Sequence, residues 1–332
     1  MIVILFTGGT ISMRHDAAAG GAVPALSGRE ILDATRGIEQ VSPVEVEEWG
    51  AFPGPHMTME RMWALRGRIA EHLARPDVRG VVVTHGTDSL EESAYLAARS
   101  LPADKPIVFT GAMRTASDLG WDGPSNLLDA VRVAAAPDAR GYGVMVAMSG
   151  RVFAGIDVTK AHTHLLDAFE SPGLGPVGVV DDGVVIFRRA LPPQPMPLAP
   201  AAPALPVDII HAWAGADDRL LDCSRRTARG VVVAAMGRGN VPPAMVPGIE
   251  RWIGDGKPVV ITSRAHRGRV GLTYGYPGGA RRLHDLGAIL AVGRRPQQAR
   301  IDLALALGAG LEARALREMF EGTRTIDASA RT

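Results

Sequence analysis

Short apolar runs rich in β-branched residues alternate along this chain with longer segments whose apolar residues recur at helical spacing, and few folds satisfy that alternation. Ile2–Phe6 (IVILF), Gly80–Thr84 (GVVVT), Ile107–Thr110 (IVFT) and Val144–Met148 (VMVAM) read as strands that are apolar on both faces. Between them, residues 59–73, 89–99 and 125–135 carry apolar side chains three and four positions apart. A strand with no polar face must be covered on both sides, and helices inserted between successive parallel strands provide that cover. The expected fold class is α/β: a larger N-terminal domain with a doubly wound, mostly parallel sheet, then a smaller C-terminal α/β domain.

The division rests on proline. Residues 191–206 read LPPQPMPLAPAAPALP, with prolines at 192, 193, 195, 197, 200, 203 and 206. Proline offers no amide hydrogen and fixes φ, so this stretch suits neither a helix interior nor a central strand and is expected as a stiff, extended linker. The expected domains are 1–190 and 207–332, joined by the linker 191–206. Beyond it the rhythm resumes, with strands expected at 207–211, 230–236, 259–262 and 286–292 and helices at 244–252 and 297–307.

Charge narrows the partners. With 36 basic against 35 acidic residues the net charge is +1, so neither nucleic acid nor an anionic membrane is an expected partner. No apolar run approaches the roughly 20 residues that cross a bilayer. The one cysteine, Cys223, excludes an intramolecular disulfide and any multi-cysteine metal site, and fits a reducing compartment. The opening MIVILF is too short for a signal core and lacks a basic lead and a cleavage site, so the cytoplasm is the expected location.

Several tempting motifs fail on context. Gly173-Leu174-Gly175-Pro176-Val177-Gly178 matches a dinucleotide-binding pattern, but Pro176 interrupts it and a strand follows where a helix is needed. His162 and His164 lack further ligands near in sequence, so no metal is expected. Two segments remain. Thr7-Gly8-Gly9-Thr10-Ile11 directly follows the first strand; its glycines permit a sharp turn that exposes amide donors, and Thr10 presents a hydroxyl at a strand's carboxyl end. In Thr84-His85-Gly86-Thr87-Asp88-Ser89-Leu90-Glu91-Glu92, Gly86 bends the chain and Ser89-x-x-Glu92 fits a capping box, which gives Glu91 and Glu92 a structural role. Thr87 and Asp88 stand just before that cap, a hydroxyl beside a carboxylate.

A third signal is compositional. Of the 36 basic residues only Lys105, Lys160 and Lys257 are lysine. Lys105 and Lys257 each precede a proline and lead into a strand, so a turn role suffices for them. Lys160, in Gly155-Ile156-Asp157-Val158-Thr159-Lys160, has no such explanation. Lysine can shed its proton where arginine cannot, so Lys160 is a candidate base.

Together and in this order, T-G-G-T-I, H-G-T-D-S-L-E-E-S-A and D-V-T-K resemble the bacterial-type L-asparaginase family (asparaginase/glutaminase). The likeness continues through Gly111-Ala112-Met113-Arg114, Asp122-Gly123-Pro124-Ser125-Asn126-Leu127, Met236-Gly237-Arg238-Gly239-Asn240 and Thr273-Tyr274-Gly275-Tyr276. The resemblance implies a two-domain α/β fold, homodimers or homotetramers with sites shared between chains, and hydrolysis of an amino-acid amide without metal or cofactor. It implies Thr10 as primary nucleophile and Thr87, Asp88 and Lys160 as a second catalytic cluster. Asp88 would hold the substrate ammonium, turn amides at Gly9 and Gly86 would serve substrate binding, and Asn240 would complete a partner's site. The residues themselves leave open which threonine attacks first. Two departures stand out. The family's loop tyrosine is missing, since the first tyrosine here is Tyr95, and His15 is the candidate replacement. The substrate-carboxylate segment, Phe52-Pro53-Gly54-Pro55-His56-Met57-Thr58, has no serine, so His56 is the candidate contact. The expected activity is L-asparaginase. The alternatives are a weakly catalytic amino-acid-binding protein and an amidotransferase subunit supplying ammonia, which would need an N-terminal domain for which Ile2 leaves no room. The small-residue segment 13–27 is expected to be a mobile lid.

Overall fold

The computed structural model describes residues 1–102, 104–192 and 197–322. The chain divides into two compact units, Met1–Pro197 and Leu198–Thr332. Of the proline-rich stretch, Pro193, Gln194, Pro195 and Met196 lie outside the described residues, and the described remainder is neither helix nor strand.

The first unit opens with β1 (Ile2–Phe6), a hairpin of β2 (Met13–Asp16) and β3 (Gly21–Pro24), and helices α1 (Gly28–Ala34) and α2 (Ile38–Val41). It continues with β4 (Val44–Glu48), α3 (Met59–Ala74), β5 (Gly80–Thr84), α4 (Leu90–Ser100), β6 (Ile107–Thr110), α5 (Gly123–Ala135) and β7 (Val144–Met148). Then come β8 (Arg151–Ala154), the short pair β9 (Thr159–Lys160) and β10 (Phe169–Glu170), and β11 (Gly178–Asp181) with β12 (Val184–Phe187). Among the described residues the main sheet has the order β12-β11-β8-β7-β6-β5-β1-β4. It is parallel from β4 to β7, and β8, β11 and β12 extend it antiparallel.

The two-sided burial read from sequence is realised with the period of two that a strand dictates. Val3, Leu5, Val81, Val83, Ile107 and Phe109 pack with Leu65 and Ile69 of α3 and Leu90 and Ala94 of α4. Their neighbours Ile2, Ile4, Phe6, Val82 and Val108 pack with Ile31 of α1 and Leu127, Ala130 and Val131 of α5. The edge strand β4 is closed by charge: Glu47 accepts from Arg68 and His72, and Glu45 from Arg75, all on or beside α3.

In the second unit β13 (Val207–His211), α6 (Arg219–Arg225), β14 (Gly230–Ala235), α7 (Val246–Gly254), β15 (Val259–Ser263), α8 (Ala280–Leu286), β16 (Ile289–Leu290), α9 (Pro296–Gly308) and α10 (Ala313–Glu321) follow in order. The sheet β13-β14-β15-β16 is parallel throughout. Leu221, Ile249, Trp252 and Leu283 cover it from α6, α7 and α8, and α9 packs on β13 and β14.

Two local readings need correction, and one segment holds elements that no reading named. The strand expected at 286–292 shrinks to Ile289–Leu290, because Leu286 closes α8 and Gly287, at φ 118, caps that helix in the left-handed region. The helix expected from 244 begins as a 3-10 turn, Pro243–Met245, and becomes α-helical at Val246. Segment 13–24 holds β2 and β3, which the sequence did not suggest. Among the described residues no helix is long and apolar enough to cross a membrane.

Candidate active site

Four loops leave the carboxyl ends of β1, β4, β5 and β6 on one edge of the sheet, and close backbone contact ties them together. After β1, Thr7 donates its hydroxyl to the Thr84 carbonyl at 2.7 Å, and its own carbonyl accepts the Phe52 amide at 2.7 Å. Gly9 follows at φ 86; a Cβ placed there would lie 2.5 Å from the Gly86 nitrogen. Only glycine tolerates both that torsion and that approach. Gly86 in turn lies against Gly54, where a Cβ would come within 2.5 Å of the Gly54 nitrogen. Thr10 and Thr87 are thus each one residue beyond the Gly9–Gly86 contact. Thr10 begins a single 3-10 turn, Thr10–Ser12, braced by the Ser12 hydroxyl donating to the Gly9 carbonyl at 2.9 Å, and it is partly exposed.

Lys160 completes the cluster. Its Nζ donates to Thr87 Oγ1 at 2.9 Å and to Asp88 Oδ1 at 2.7 Å. The Lys160 side chain is 15% exposed, whereas Asp88 keeps 58%, leaving the carboxylate available to a ligand cation. Thr87 is buried. The other two lysines do different work. Lys105 Nζ donates to the Leu73 and Arg75 carbonyls at the end of α3, and Lys257 Nζ to the Arg225 and Ala228 carbonyls at the end of α6. Both close helix C-termini, where a cation meets the negative end of the dipole.

The ground beneath the cluster is buried and hydrogen-bonded. His85 is fully buried, edge-on to Phe109, and its Nδ1 donates to the Gly86 carbonyl at 2.8 Å while Nε2 accepts from Ser93 Oγ at 2.8 Å. Burial lowers its pKa from 6.5 to about 4, so the ring is neutral at physiological pH. Gly111 packs on the His85 carbonyl and the Thr87 methyl. Asn126 holds Gly111 in place, donating Nδ2 to its carbonyl at 3.0 Å and to Asp122 Oδ2 at 2.9 Å. Asp122 accepts the Met113 and Arg114 amides, so two separate sequence motifs form one hydrogen-bonded unit behind Thr87.

The capping box expected at Ser89 does not form. Ser89 lies at φ −121 and ψ 6, outside the extended conformation such a cap needs, and its hydroxyl donates to the Gly54 carbonyl at 2.6 Å instead. Glu91, expected only to support the helix start, also reaches across to accept the Lys160 amide at 2.6 Å. Neither link was legible locally, since the partners stand 35 and 69 residues away.

The remaining candidates are less closely tied to this cluster. His56 ends a 3-10 turn, Gly54–His56, whose first residue lies against Asp88; its side chain is exposed. His15 sits on β2 with Nε2 3.3 Å from Asp118 Oδ1, and its amide donates to Ser117 Oγ at 3.0 Å. Asn240 belongs to the second unit. There its Oδ1 accepts the Ala280 amide at 3.2 Å, and it lines an open cavity of about 400 Å³ with Ala214, Met236, Pro242 and Tyr276. His162 Nδ1 accepts the His164 and Leu165 amides and so shapes a turn. Among the described residues no three His, Cys, Asp or Glu side chains group as metal ligands. Gly178, the last glycine of the dinucleotide-like pattern, begins strand β11, and Cys223 is exposed and free.

Comparison with known proteins gives this geometry its kin. Residues 1–192 match the asparaginase N-terminal family and residues 206–320 the glutaminase/asparaginase C-terminal domain. A probable L-asparaginase of Deinococcus radiodurans is 37% identical over 96% of both chains. An L-asparaginase of Bacillus licheniformis is 33% identical over 92% of this chain and 95% of its own. The crystal structure of a probable cytoplasmic L-asparaginase from Campylobacter jejuni superposes with a TM-score of 0.87 at 30% identity, covering 96% of this chain and 98% of that one. On these matches over both units, the chain belongs to the asparaginase family.

Proposed function

We propose that the loop cluster at the carboxyl ends of β1, β4, β5 and β6 hydrolyses the side-chain amide of L-asparagine, giving L-aspartate and ammonia through a threonine nucleophile. The chain is an amidohydrolase of the L-asparaginase type. The observation that carries the site assignment is Lys160 Nζ bridging Thr87 Oγ1 and Asp88 Oδ1, on a loop whose Gly86 backbone lies against Gly9, the residue before Thr10. The half-exposed Asp88 carboxylate pairs with the substrate ammonium. Amides of the Gly9 and Gly86 turns, with His56 at the mouth, serve the substrate carboxylate.

The Thr10 hydroxyl adds to the amide carbon, turn amides hold the oxyanion of the tetrahedral intermediate, and its C–N bond breaks to expel ammonia, which carries off the hydroxyl proton and leaves a β-aspartyl ester on Thr10. Thr87, with Lys160 as proton acceptor and Asp88 fixing the lysine, then activates the water that releases L-aspartate. Asn240 of one chain completes the site of a partner, so the working form is a dimer or a tetramer, and the cytoplasm is the compartment proposed for it.

Ammonia release from L-asparagine, L-glutamine and their D-forms tests the reaction, and light scattering under assay conditions tests the assembly. Thr10→Val should abolish turnover, whereas Thr87→Val should let an aspartyl adduct of about 115 Da accumulate on Thr10, read by intact mass, because its hydrolysis is the step slowed. A tightly bound amino acid with no ammonia would replace the hydrolase by a binding protein, and a fully active monomer would remove the shared site.

A further inference from the structure

Lys160 lies on a strand of only two residues, β9, paired with the equally short β10. Such a ladder fixes little, yet a proton acceptor must be held within about 0.5 Å of its working position. The hold comes from elsewhere. One segment grips the lysine at both ends: Thr87 and Asp88 take its Nζ at 2.9 and 2.7 Å, and Glu91 takes its backbone amide at 2.6 Å. Glu91 sits in the first turn of α4, a helix of 11 residues. A carboxylate accepting an amide makes a bond roughly twice as strong as a neutral pair. That bond sets the distance between the lysine backbone and the loop that carries Thr87.

We infer that Glu91 is a positioning residue for Lys160, acting through the lysine's main-chain amide rather than on substrate. The inference rests on the proposed role of Lys160 and adds to it the group that keeps the lysine in register. It competes with a simpler role, since an acidic residue in the first turn also favours the helix dipole.

Two conservative variants separate these roles because they rank in opposite orders. Glu91→Gln keeps the length and an acceptor oxygen but loses the charge. Glu91→Asp keeps the charge at the helix start but is one methylene too short to reach the Lys160 amide. Positioning predicts that Glu91→Gln keeps turnover within about fivefold of the parent while Glu91→Asp loses about 10- to 100-fold in kcat, the scale of an ångström misplacement. KM for L-asparagine should move less than threefold in both, because Asp88 and the turn amides remain. A dipole role predicts the reverse order, which would overturn the inference, as would two variants within twofold of the parent.

Lys160→Met is measured beside them. If it keeps activity within about tenfold, short of the loss expected for a general base, the reading of Lys160 has failed and the inference falls with it. If it is inactive while Glu91→Asp matches the parent, only the inference fails. Melting curves of all three variants confirm that the measured protein is folded.

Discussion

Acidification should destabilise the folded chain through the buried His85 ring. In the folded chain His85 is neutral, buried, and committed through both nitrogens to Gly86 and Ser93. Its pKa falls from 6.5 to about 4, with burial the largest cause. Between those values the unfolded chain binds a proton that the folded chain refuses, so lowering the pH favours unfolding. The stabilisation is complete above about pH 6.5 and is lost progressively down to about pH 4. At about 1.4 kcal/mol per tenfold, the whole window is worth about 3 kcal/mol, most of it spent by pH 4.5.

The perturbation that isolates this contribution is His85→Asn, which keeps a donor for the Gly86 carbonyl and cannot titrate. It leaves Ser93 without its acceptor and so costs about 1–3 kcal/mol at pH 7. As the pH falls from 7 to 4.5 the parent should lose about 2–3 kcal/mol more than the variant, closing or reversing the gap. Urea unfolding of both proteins at four pH values reads that difference, with imidazole NMR to assign the Nδ1–H tautomer. Parallel stability curves, or a His85 that titrates near 6.5, would refute the argument.

Three further outcomes follow from the geometry. Lys160→Arg should lose about 10²- to 10⁴-fold in turnover, much like Lys160→Met, because arginine cannot release a proton near neutral pH; steady-state kinetics with an arginine variant within tenfold of the parent would remove the lysine from proton transfer. Gly9→Ala places a Cβ 2.5 Å from the Gly86 nitrogen at φ 86, so it should force the two threonine loops apart and cost about 10²-fold in turnover; full activity in the ammonia assay would contradict the packing. The exposed tip 17–20 of the β2–β3 hairpin should exchange its amides rapidly in the free protein and slowly with aspartate bound, and strong protection without ligand would end its description as a lid.

What the sequence disclosed and what it concealed follow from how far each signal reaches. Strands such as Val81–Val83 were legible because a fully buried strand must be apolar at every position, a demand each residue meets alone. The β2–β3 hairpin was not, since Met13–Asp16 is mostly exposed and carries no apolar period. That hairpin is held by distant partners instead: the Met13 carbonyl accepts the Ala116 amide at 2.9 Å, and the His15 amide donates to Ser117. The capping box at Ser89 failed for the same reason, because Ser89 gives its hydroxyl to Gly54, 35 residues earlier, while a helix-capping rule sees only the next few residues; Glu91 keeps its place in the first turn of α4 and adds a bond to the Lys160 amide.

Lysine scarcity points to Lys160 by a different route. Each of the three ammonium groups lies between two oxygens: paired helix-end carbonyls for Lys105 and Lys257, a hydroxyl and a carboxylate for Lys160. A compact head with rotatable donors fits such a place better than a planar guanidinium does. In a chain that otherwise uses arginine, the rare lysines therefore mark geometry rather than charge. Two of those geometries close helices. The third joins Lys160 to a loop threonine and the aspartate beside it, 73 and 72 residues earlier, and no local rule of helix or turn accounts for that pairing.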